Sequence, residues 1–412
     1  MSLISRQDCQ EIDAADPFAA KRVEFNLPPG VIYLDGNSLG ALTHAAAHRV
    51  QEVVSTQWGR DLIKSWNLHG WIDQPRTLGR RLAPLLGVSA DDVEVYDSTS
   101  VNLFKIVAAA ARDRGTRYKI VTERGNFPTD PYMLDGLAGL VPGIEVVHVS
   151  RDELAGAIDP QTFLVVLTHV HYQSAEMFDL ARITQLTHDA GAKILWDLSH
   201  SVGAVPLALS AARADFAVGC CYKYLNGGPG APAFMYVRRD LQDALKPVLS
   251  GWLGHERPFD FTEEYIPAQG MARHRCGTPP IIAYAALEGA LTVFDGVDIH
   301  DLRSKSIALS DLFISLVEDQ GLGGELTLIS PRITARRGSH LAFAHRDGYS
   351  VIQRLIARGV IGDFRAPNLL RFGFAPLYLR YVDVWDAVEI MRDEVRRWRE
   401  SGGASIARMA VT

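Results

Sequence analysis

The sequence predicts an α/β fold built on a largely parallel sheet. Between residues 93 and 197, short apolar runs typical of buried strands alternate with helical stretches, which is the pattern of a parallel sheet. A further apolar run at 217–221 leads into the tight turn 227–230. A stretch rich in glycine and proline, 251–280, then precedes a helix at 281–294 and a smaller α+β pattern.

The individual elements follow from hydrophobic periodicity. Strands are predicted at 31–34, 93–97, 118–122, 144–149, 163–167, 194–196, 217–221, 233–237, 326–329, 339–344 and 369–374. Helices are predicted at 43–58, 101–112, 179–189, 281–294, 304–317, 349–358 and 382–397. We expect residues 1–55 to pack with a small C-terminal domain of residues 297–412, beside a large domain of residues 56–296.

Composition excludes several classes of protein. A chain of 412 residues that is 47% hydrophobic and 22% charged is long enough for two globular domains. Its net charge of -6 argues against nucleic acid or an anionic membrane as a partner. Four cysteines are too few for a disulfide framework, and the first residues lack the apolar core of a signal peptide. We therefore expect a cytoplasmic protein.

Lys223 lies where lysine is unusual, between an apolar strand and the glycine turn. A desolvated lysine loses part of its preference for the charged form, and a neutral amine can bond covalently to an aldehyde. The alternative is a strand-end lysine whose amine reaches water. On this stretch alone the two interpretations are nearly equal.

Asp197 and His200 favour the chemical interpretation. Asp197 follows the apolar run 194–196, and ligands of α/β sheets bind beyond the carboxyl ends of strands. Pyridoxal phosphate needs a lysine for its aldehyde and a carboxylate that keeps its pyridine nitrogen protonated. The sequence therefore predicts a pyridoxal phosphate site, rather than an aspartate that only caps the next turn.

Further residues suit the same cofactor. Thr99 and Ser100 stand at the start of an apolar helix, whose free N–H groups and dipole favour a phosphate over a plain helix cap. Phe127 follows a strand and could stack on a pyridine ring, with Asp130 in the same loop; a core phenylalanine and a helix-capping aspartate are the alternatives. His169 and His171 alternate after a strand but have no third ligand nearby, so no metal site is expected.

The chain resembles kynureninase, a fold-type I pyridoxal-phosphate enzyme of the class V aminotransferase group. Segments that carry the resemblance span nearly the whole chain in the expected order: 33–40, 99–103, 127–130, 197–200, 222–226, 251–256, 277–281 and 375–378. Gly-Trp-Leu-Gly-His-Glu at 251–256 and Tyr-Lys-Tyr-Leu-Asn at 222–226 are the most specific of these.

The resemblance implies a role for each matching residue. Lys223 would bind the cofactor covalently, Asp197 would pair with its pyridine nitrogen, and Tyr222 would help to hold its phosphate. Because Tyr222 is next to Lys223 and the phosphate, it is also our candidate for the catalytic acid. The other residues implied around the cofactor are Thr99, Ser100, Phe127, Asp130, Thr168 and His200. Trp252 and Thr278 would reach it from the neighbouring subunit, which implies a homodimer. Arg371 would pair with the substrate carboxylate, while His69, Gly277 and Thr278 would contact the substrate's aromatic ring.

The implied reaction is the hydrolysis of L-kynurenine to anthranilate and L-alanine, as in tryptophan degradation. Animal kynureninases carry asparagine at the Thr278 position and prefer the 3-hydroxylated substrate, so threonine implies a preference for L-kynurenine itself. A cysteine desulfurase or selenocysteine lyase is one alternative, although the only late cysteine is Cys276. A noncatalytic binding or regulatory protein is another, although it would not need the amine of Lys223.

Overall fold

The computed structural model describes residues 4–403 and 406–407. The α-helices are α1 Arg6–Ala14, α2 His44–Glu52, α3 Ser65–Leu68, α4 Gln74–Leu86, α5 Thr99–Arg112, α6 Thr129–Leu140, α7 Leu154–Ala157, α8 Leu180–Asp189, α9 Ile281–Ala290, α10 Ile299–Asp319, α11 Gly348–Ala357 and α12 Tyr381–Glu400. The strands are β1 Ile32–Tyr33, β2 Val93–Val95, β3 Lys119–Glu123, β4 Glu145–Val149, β5 Thr162–Thr168, β6 Lys193–Asp197, β7 Phe216–Cys220, β8 Ala233–Val237, β9 Thr327–Leu328, β10 His340–Ala344, β11 Val360–Ile361, β12 Asp363–Arg365 and β13 Leu369–Gly373.

Seven strands form the central sheet in the order β2-β8-β7-β6-β5-β3-β4. The pairs from β4 through β3, β5 and β6 to β7 are parallel, whereas β8 runs antiparallel to both β7 and β2. Strands β5 to β8 are buried along nearly their whole length, as the continuous apolar runs predicted. The predicted α/β class is therefore confirmed.

One edge of this sheet collects the predicted site. Because β3, β5, β6 and β7 are parallel, their carboxyl ends lie on the same side, and Thr168 pairs directly with Asp197 across β5 and β6. Strand β2 is antiparallel to β8, which is antiparallel to β7, so β2 also ends on that side. The amino terminus of α5, which follows β2, is thereby brought to the same edge.

The C-terminal region is built on a four-stranded antiparallel sheet, β12-β13-β10-β9. Its core also includes apolar residues from the start of the chain, such as Phe18 and Phe25. Strand β1 pairs with β11, and Arg6 of α1 forms an ion pair of 2.7 Å with Asp386 of α12. These contacts support the proposal that the N-terminal segment packs with the small domain, but α2 packs on α9, so this segment joins both regions.

Several predicted boundaries need correction. The predicted helix 43–58 is α2 followed by a π-helical stretch, Val53–Asp61, although Thr43 caps it as expected. The glycine- and proline-rich stretch 251–280, for which no element was predicted, contains the 3-10 turns Trp252–Gly254 and Gly270–His274. Helices α1, α3 and α4 and the short strands β11 and β12 were not predicted from the sequence. Within residues 4–403, no helix is both long and apolar enough to cross a membrane.

Candidate active site

Lys223 lies in the loop that follows β7, on the floor of a cleft at the carboxyl edge of the sheet. Its Nζ is 2.9 Å from Nε2 of His200. The loop is held from the other side by Gly40, whose N–H donates to the Tyr222 carbonyl at 2.7 Å. A side chain at Gly40 would collide with the Lys223 carbonyl, so the close approach requires glycine at this position.

Asp197 ends β6, is only 4% exposed and lines the same cleft as Lys223. Its Oδ1 accepts a hydrogen bond of 2.7 Å from the Ser199 N–H. Burial raises the pKa of Asp197, while Ser199 and Lys223 oppose that rise by stabilising the carboxylate. The cleft has a volume of about 120 Å³. It is lined by Ser98, Thr99, Ser100, Phe127, Thr129, Asp130, Thr168, Asp197, Ser199, His200, Tyr222 and Lys223.

The amino terminus of α5 forms one wall of this cleft. Ser98 is the N-cap, and its Oγ accepts from the Val101 N–H at 3.3 Å. Thr99 and Ser100 are the first two residues of the helix, so their N–H groups have no partner within it. Unpaired N–H groups at the positive end of a helix dipole suit an anion such as phosphate.

Asn126 organises the opposite wall, and we did not predict it. Its side chain donates to Asp130 Oδ2 at 3.1 Å and accepts from Thr168 Oγ1 at 2.6 Å. It also accepts from the Phe127 N–H at 2.7 Å. One buried amide therefore orients three predicted site residues. Its place immediately before Phe127 is the sequence signal that could have identified it.

Asp130 and Phe127 differ sharply in exposure. Asp130 is the second residue of α6 and is buried, so it is not the cap that was considered as an alternative. Burial, and then the nearby Asp197 carboxylate, raise the pKa of Asp130 well above its usual value. Phe127 is 42% exposed and faces the cleft, so it is not a core residue.

Tyr222 and His200 flank the Lys223 amine. Tyr222 is half-buried, and the neighbouring Cys220 together with burial raises the pKa of its hydroxyl, which therefore keeps its proton at neutral pH. Burial, and then the charge of Lys223, lower the pKa of His200, so this imidazole is neutral. The Lys223 Nζ lies 5.9 Å from the ring centres of both Phe127 and Tyr222.

Arg371 does not line the cleft, but it lies close behind it. The side chain is buried on β13, and its guanidinium is paired with Asp363 and donates to the Tyr172 carbonyl. Tyr172 in turn packs edge-on against Phe127, with ring centres 5.3 Å apart. Arg371 is also near enough to help lower the pKa of His200. Its predicted substrate role stays a prediction.

Four other predicted residues lie outside the cleft of this single chain. Trp252 packs against Trp66 with ring centres 6.4 Å apart, and Gly277 and Thr278 are exposed. His69 Nε2 contacts Asp61 Oδ2 at 2.9 Å. The expectation that Trp252 and Thr278 reach the site of a neighbouring subunit stays a prediction, as do the substrate contacts of His69 and Gly277.

Comparisons with known proteins identify the family. A kynureninase from Pseudomonas fluorescens is 50% identical over 401 residues, covering 96% of each chain. The chain belongs to the kynureninase family. A kynureninase from Burkholderia mallei strain SAVP1 is 49% identical over 99% of this chain and its own full length, and a profile described as the kynureninase C-terminal domain matches residues 302–391.

Solved structures support the fold of this kynureninase family member. A cysteine desulfurase from Escherichia coli superimposes with a TM-score of 0.78 at 20% identity, covering 93% of this chain and 98% of its own. A cysteine desulfurase from Thermococcus onnurineus superimposes with a TM-score of 0.77 at 16% identity, covering 92% and 98%. At these identities the likeness concerns the fold alone, and it confirms the predicted fold-type I architecture with a smaller C-terminal domain.

Family membership confirms the enzyme class and cofactor predicted from the sequence, a hydrolase that depends on pyridoxal 5'-phosphate. The cleft fits that cofactor on its own geometry. It presents an amine, a buried carboxylate, an exposed aromatic ring and unpaired helix N–H groups. In addition, Oδ1 of Asp130 is buried without a hydrogen-bond partner among the described residues, which suits a polar group of a ligand.

Proposed function

We propose that this chain hydrolyses L-kynurenine to anthranilate and L-alanine, with pyridoxal phosphate held between Lys223 and Asp197. The observation that carries the proposal is that a lysine amine and a buried carboxylate line one cleft at the sheet's carboxyl edge. The family assignment supplies the reaction, and the cleft supplies the parts that the reaction needs.

The residues around the cleft would hold the cofactor as follows. Thr99 and Ser100 N–H groups bind the phosphate, and Phe127 stacks on the ring. Asp197 holds the proton on the ring nitrogen, while Lys223 bonds to the aldehyde. Bound in this way, pyridoxal phosphate withdraws electrons from bonds at the carbon that bears the amino group of the substrate.

Proton transfers are assigned to Lys223 and Tyr222. Once the amino group of the substrate has replaced it on the aldehyde, the freed Lys223 amine would take the proton from the α carbon of the substrate. Because Tyr222 keeps its proton, its hydroxyl can supply one when water adds to the side-chain ketone and the bond between the β and γ carbons breaks. Arg371 binds the substrate carboxylate through its planar guanidinium. The reaction consumes one water, so anthranilate and alanine together contain the atoms of L-kynurenine and that water.

We also propose a cytoplasmic homodimer in which Trp252 and Thr278 complete the neighbouring site. The four cysteines are free thiols, as expected in a reducing compartment. Trp252 contacts Phe259 and Phe261, which are 55% and 76% exposed, and such an apolar surface favours a subunit interface. We propose that Thr278 favours L-kynurenine over 3-hydroxykynurenine.

The test is the formation of anthranilate, which is fluorescent, from L-kynurenine by the cofactor-loaded protein. We expect Lys223→Ala to lose both turnover and the absorbance of covalently bound cofactor. Normal turnover by this variant would overturn the site assignment, and no anthranilate from the wild-type chain would overturn the function. Sedimentation equilibrium of the same sample should give twice the chain mass of 45.3 kDa.

A further inference from the structure

His340 is a buried histidine for which neither the sequence nor the proposed mechanism provides a role. It is the first residue of β10 and is fully buried. Neither ring nitrogen has a hydrogen-bond partner among the described residues. Because a buried polar group without a partner is costly, both nitrogens call for an explanation.

The ring of His340 packs against the ring of His200, whose centre is 5.3 Å away. His200 Nε2 contacts the Lys223 amine, but its Nδ1 is also buried and without a partner in the described chain. A charged lysine has three donors and no acceptor, so the tautomer of His200 whose Nε2 accepts is the one that stabilises a charged Lys223. In that tautomer the proton of neutral His200 is on Nδ1, a buried donor on the opposite side of the ring from the nitrogen that contacts Lys223.

Asn37 lies on the same face of the β10–β13 pair as His340. Gly373 lies directly opposite His340 in the β10–β13 pair, and a side chain there would collide with Oδ1 of Asn37. Side chains of opposed residues share one face, so the Asn37 amide occupies the space beside His340. This amide is also buried, and both its polar atoms lack partners among the residues the structure describes. An amide has both a donor and an acceptor, so it can bond to a neighbouring imidazole nitrogen with or without a proton.

We propose that His340 is a positioning residue which, through one bridging water, accepts the Nδ1–H of His200 and thereby fixes the tautomer that His200 presents to Lys223. A buried water commonly bonds to about three otherwise unsatisfied polar atoms, and His200, His340 and Asn37 provide such a set. The arrangement follows the general logic in which a group that contacts the reactive residue is oriented by a third group.

The surroundings of His200 and His340 keep both rings neutral. The proposed effect is therefore on the tautomer of His200 and not on its charge. Burial comes first among the causes that lower the pKa of both histidines well below the usual value, so both rings are neutral. The charged and titratable groups that face the two rings are Lys223, Arg371, Arg365, Asp363 and His171. Only Asp363 favours protonation of His340, and it is paired with Arg371.

The first test measures the amine of Lys223 in the cofactor-free, full-length protein. Reductive methylation at a series of pH values, followed by mass spectrometry of the Lys223 peptide, gives the pH midpoint of amine reactivity. In His340→Phe the proton of His200 is free to move from Nδ1 to Nε2, where it is donated to the Lys223 amine. This favours the neutral amine, so we expect the midpoint to fall by about one pH unit, as for loss of one hydrogen bond to a charged group.

Two variants make the test specific. His340→Gln keeps a side chain that can donate and accept, and it should restore most of the wild-type midpoint. His345→Phe removes another buried histidine of the same domain, which packs on Trp398, and it should leave the midpoint unchanged. A wild-type midpoint in folded His340→Phe would overturn the proposal.

A second measurement needs no substitution at His340. Nitrogen-15 spectra of histidine-labelled wild-type protein, with His200 assigned by loss of its signal in His200→Asn, report which ring nitrogen carries the proton. The proposal requires Nδ1, and a proton on Nε2 would refute it. The role of Lys223 rests on the proposed function, but neither measurement uses substrate. A chain that makes no anthranilate would therefore refute that function without deciding this proposal.

Discussion

Asn126→Ala tests whether one amide organises the wall of the cofactor cleft. The substitution removes the bonds to Asp130 and Thr168 and the bond from the Phe127 N–H. A neutral buried hydrogen bond contributes about 1 kcal/mol, and part of this total holds the cleft in its binding geometry. Assigning about 2 kcal/mol of the loss to cofactor binding predicts a dissociation constant for pyridoxal phosphate that is roughly 30-fold higher.

The assay is a fluorescence titration of the cofactor-free protein with pyridoxal phosphate, alongside urea unfolding. Gln242→Ala is the matched control, because Gln242 is similarly buried and its amide bonds to Asp92 and the Val237 carbonyl, away from the cleft. Both variants should lose stability, but only Asn126→Ala should lose affinity. Equal affinity losses, or an unchanged affinity in Asn126→Ala, would refute this account of Asn126.

Two further predictions concern charge. Arg371→Ala should raise the KM for L-kynurenine by roughly 30-fold, the equivalent of about 2 kcal/mol for one hydrogen bond to a charged group, with a smaller effect on kcat; an unchanged KM would remove Arg371 from the substrate site. His169 is buried, and burial lowers its pKa to about 4, so the unfolded chain binds a proton more readily below pH 6.5. The free energy of unfolding should therefore fall between about pH 6.5 and pH 4, and His169 alone should account for about 2 kcal/mol of the loss from pH 7 to pH 5. Urea unfolding of His169→Asn should lack this part of the loss, and a pH dependence as steep as that of the wild type would contradict it.

Most of the catalytic set could be predicted because it is local to strand ends. The apolar runs before Lys223 and Asp197 indicate buried strands, and parallel strands place their carboxyl ends together. The start of α5 was also predictable, because hydroxyl residues precede an apolar helix there. In each case the residue type and its neighbours in sequence were enough to predict where the side chain would lie.

By itself, the sequence determined the α/β class, the order of the main elements and the residues at the ends of parallel strands, because hydrophobic period and turn residues act over a few positions. Only the tertiary structure decided that Asn126 joins Phe127, Asp130 and Thr168, and that His340 lies beside His200. The contact of Asn126 with Thr168 joins residues 42 positions apart, and that of His340 with His200 joins residues 140 positions apart. Whether a buried polar atom finds a partner depends on how separate elements pack, and no local pattern records that.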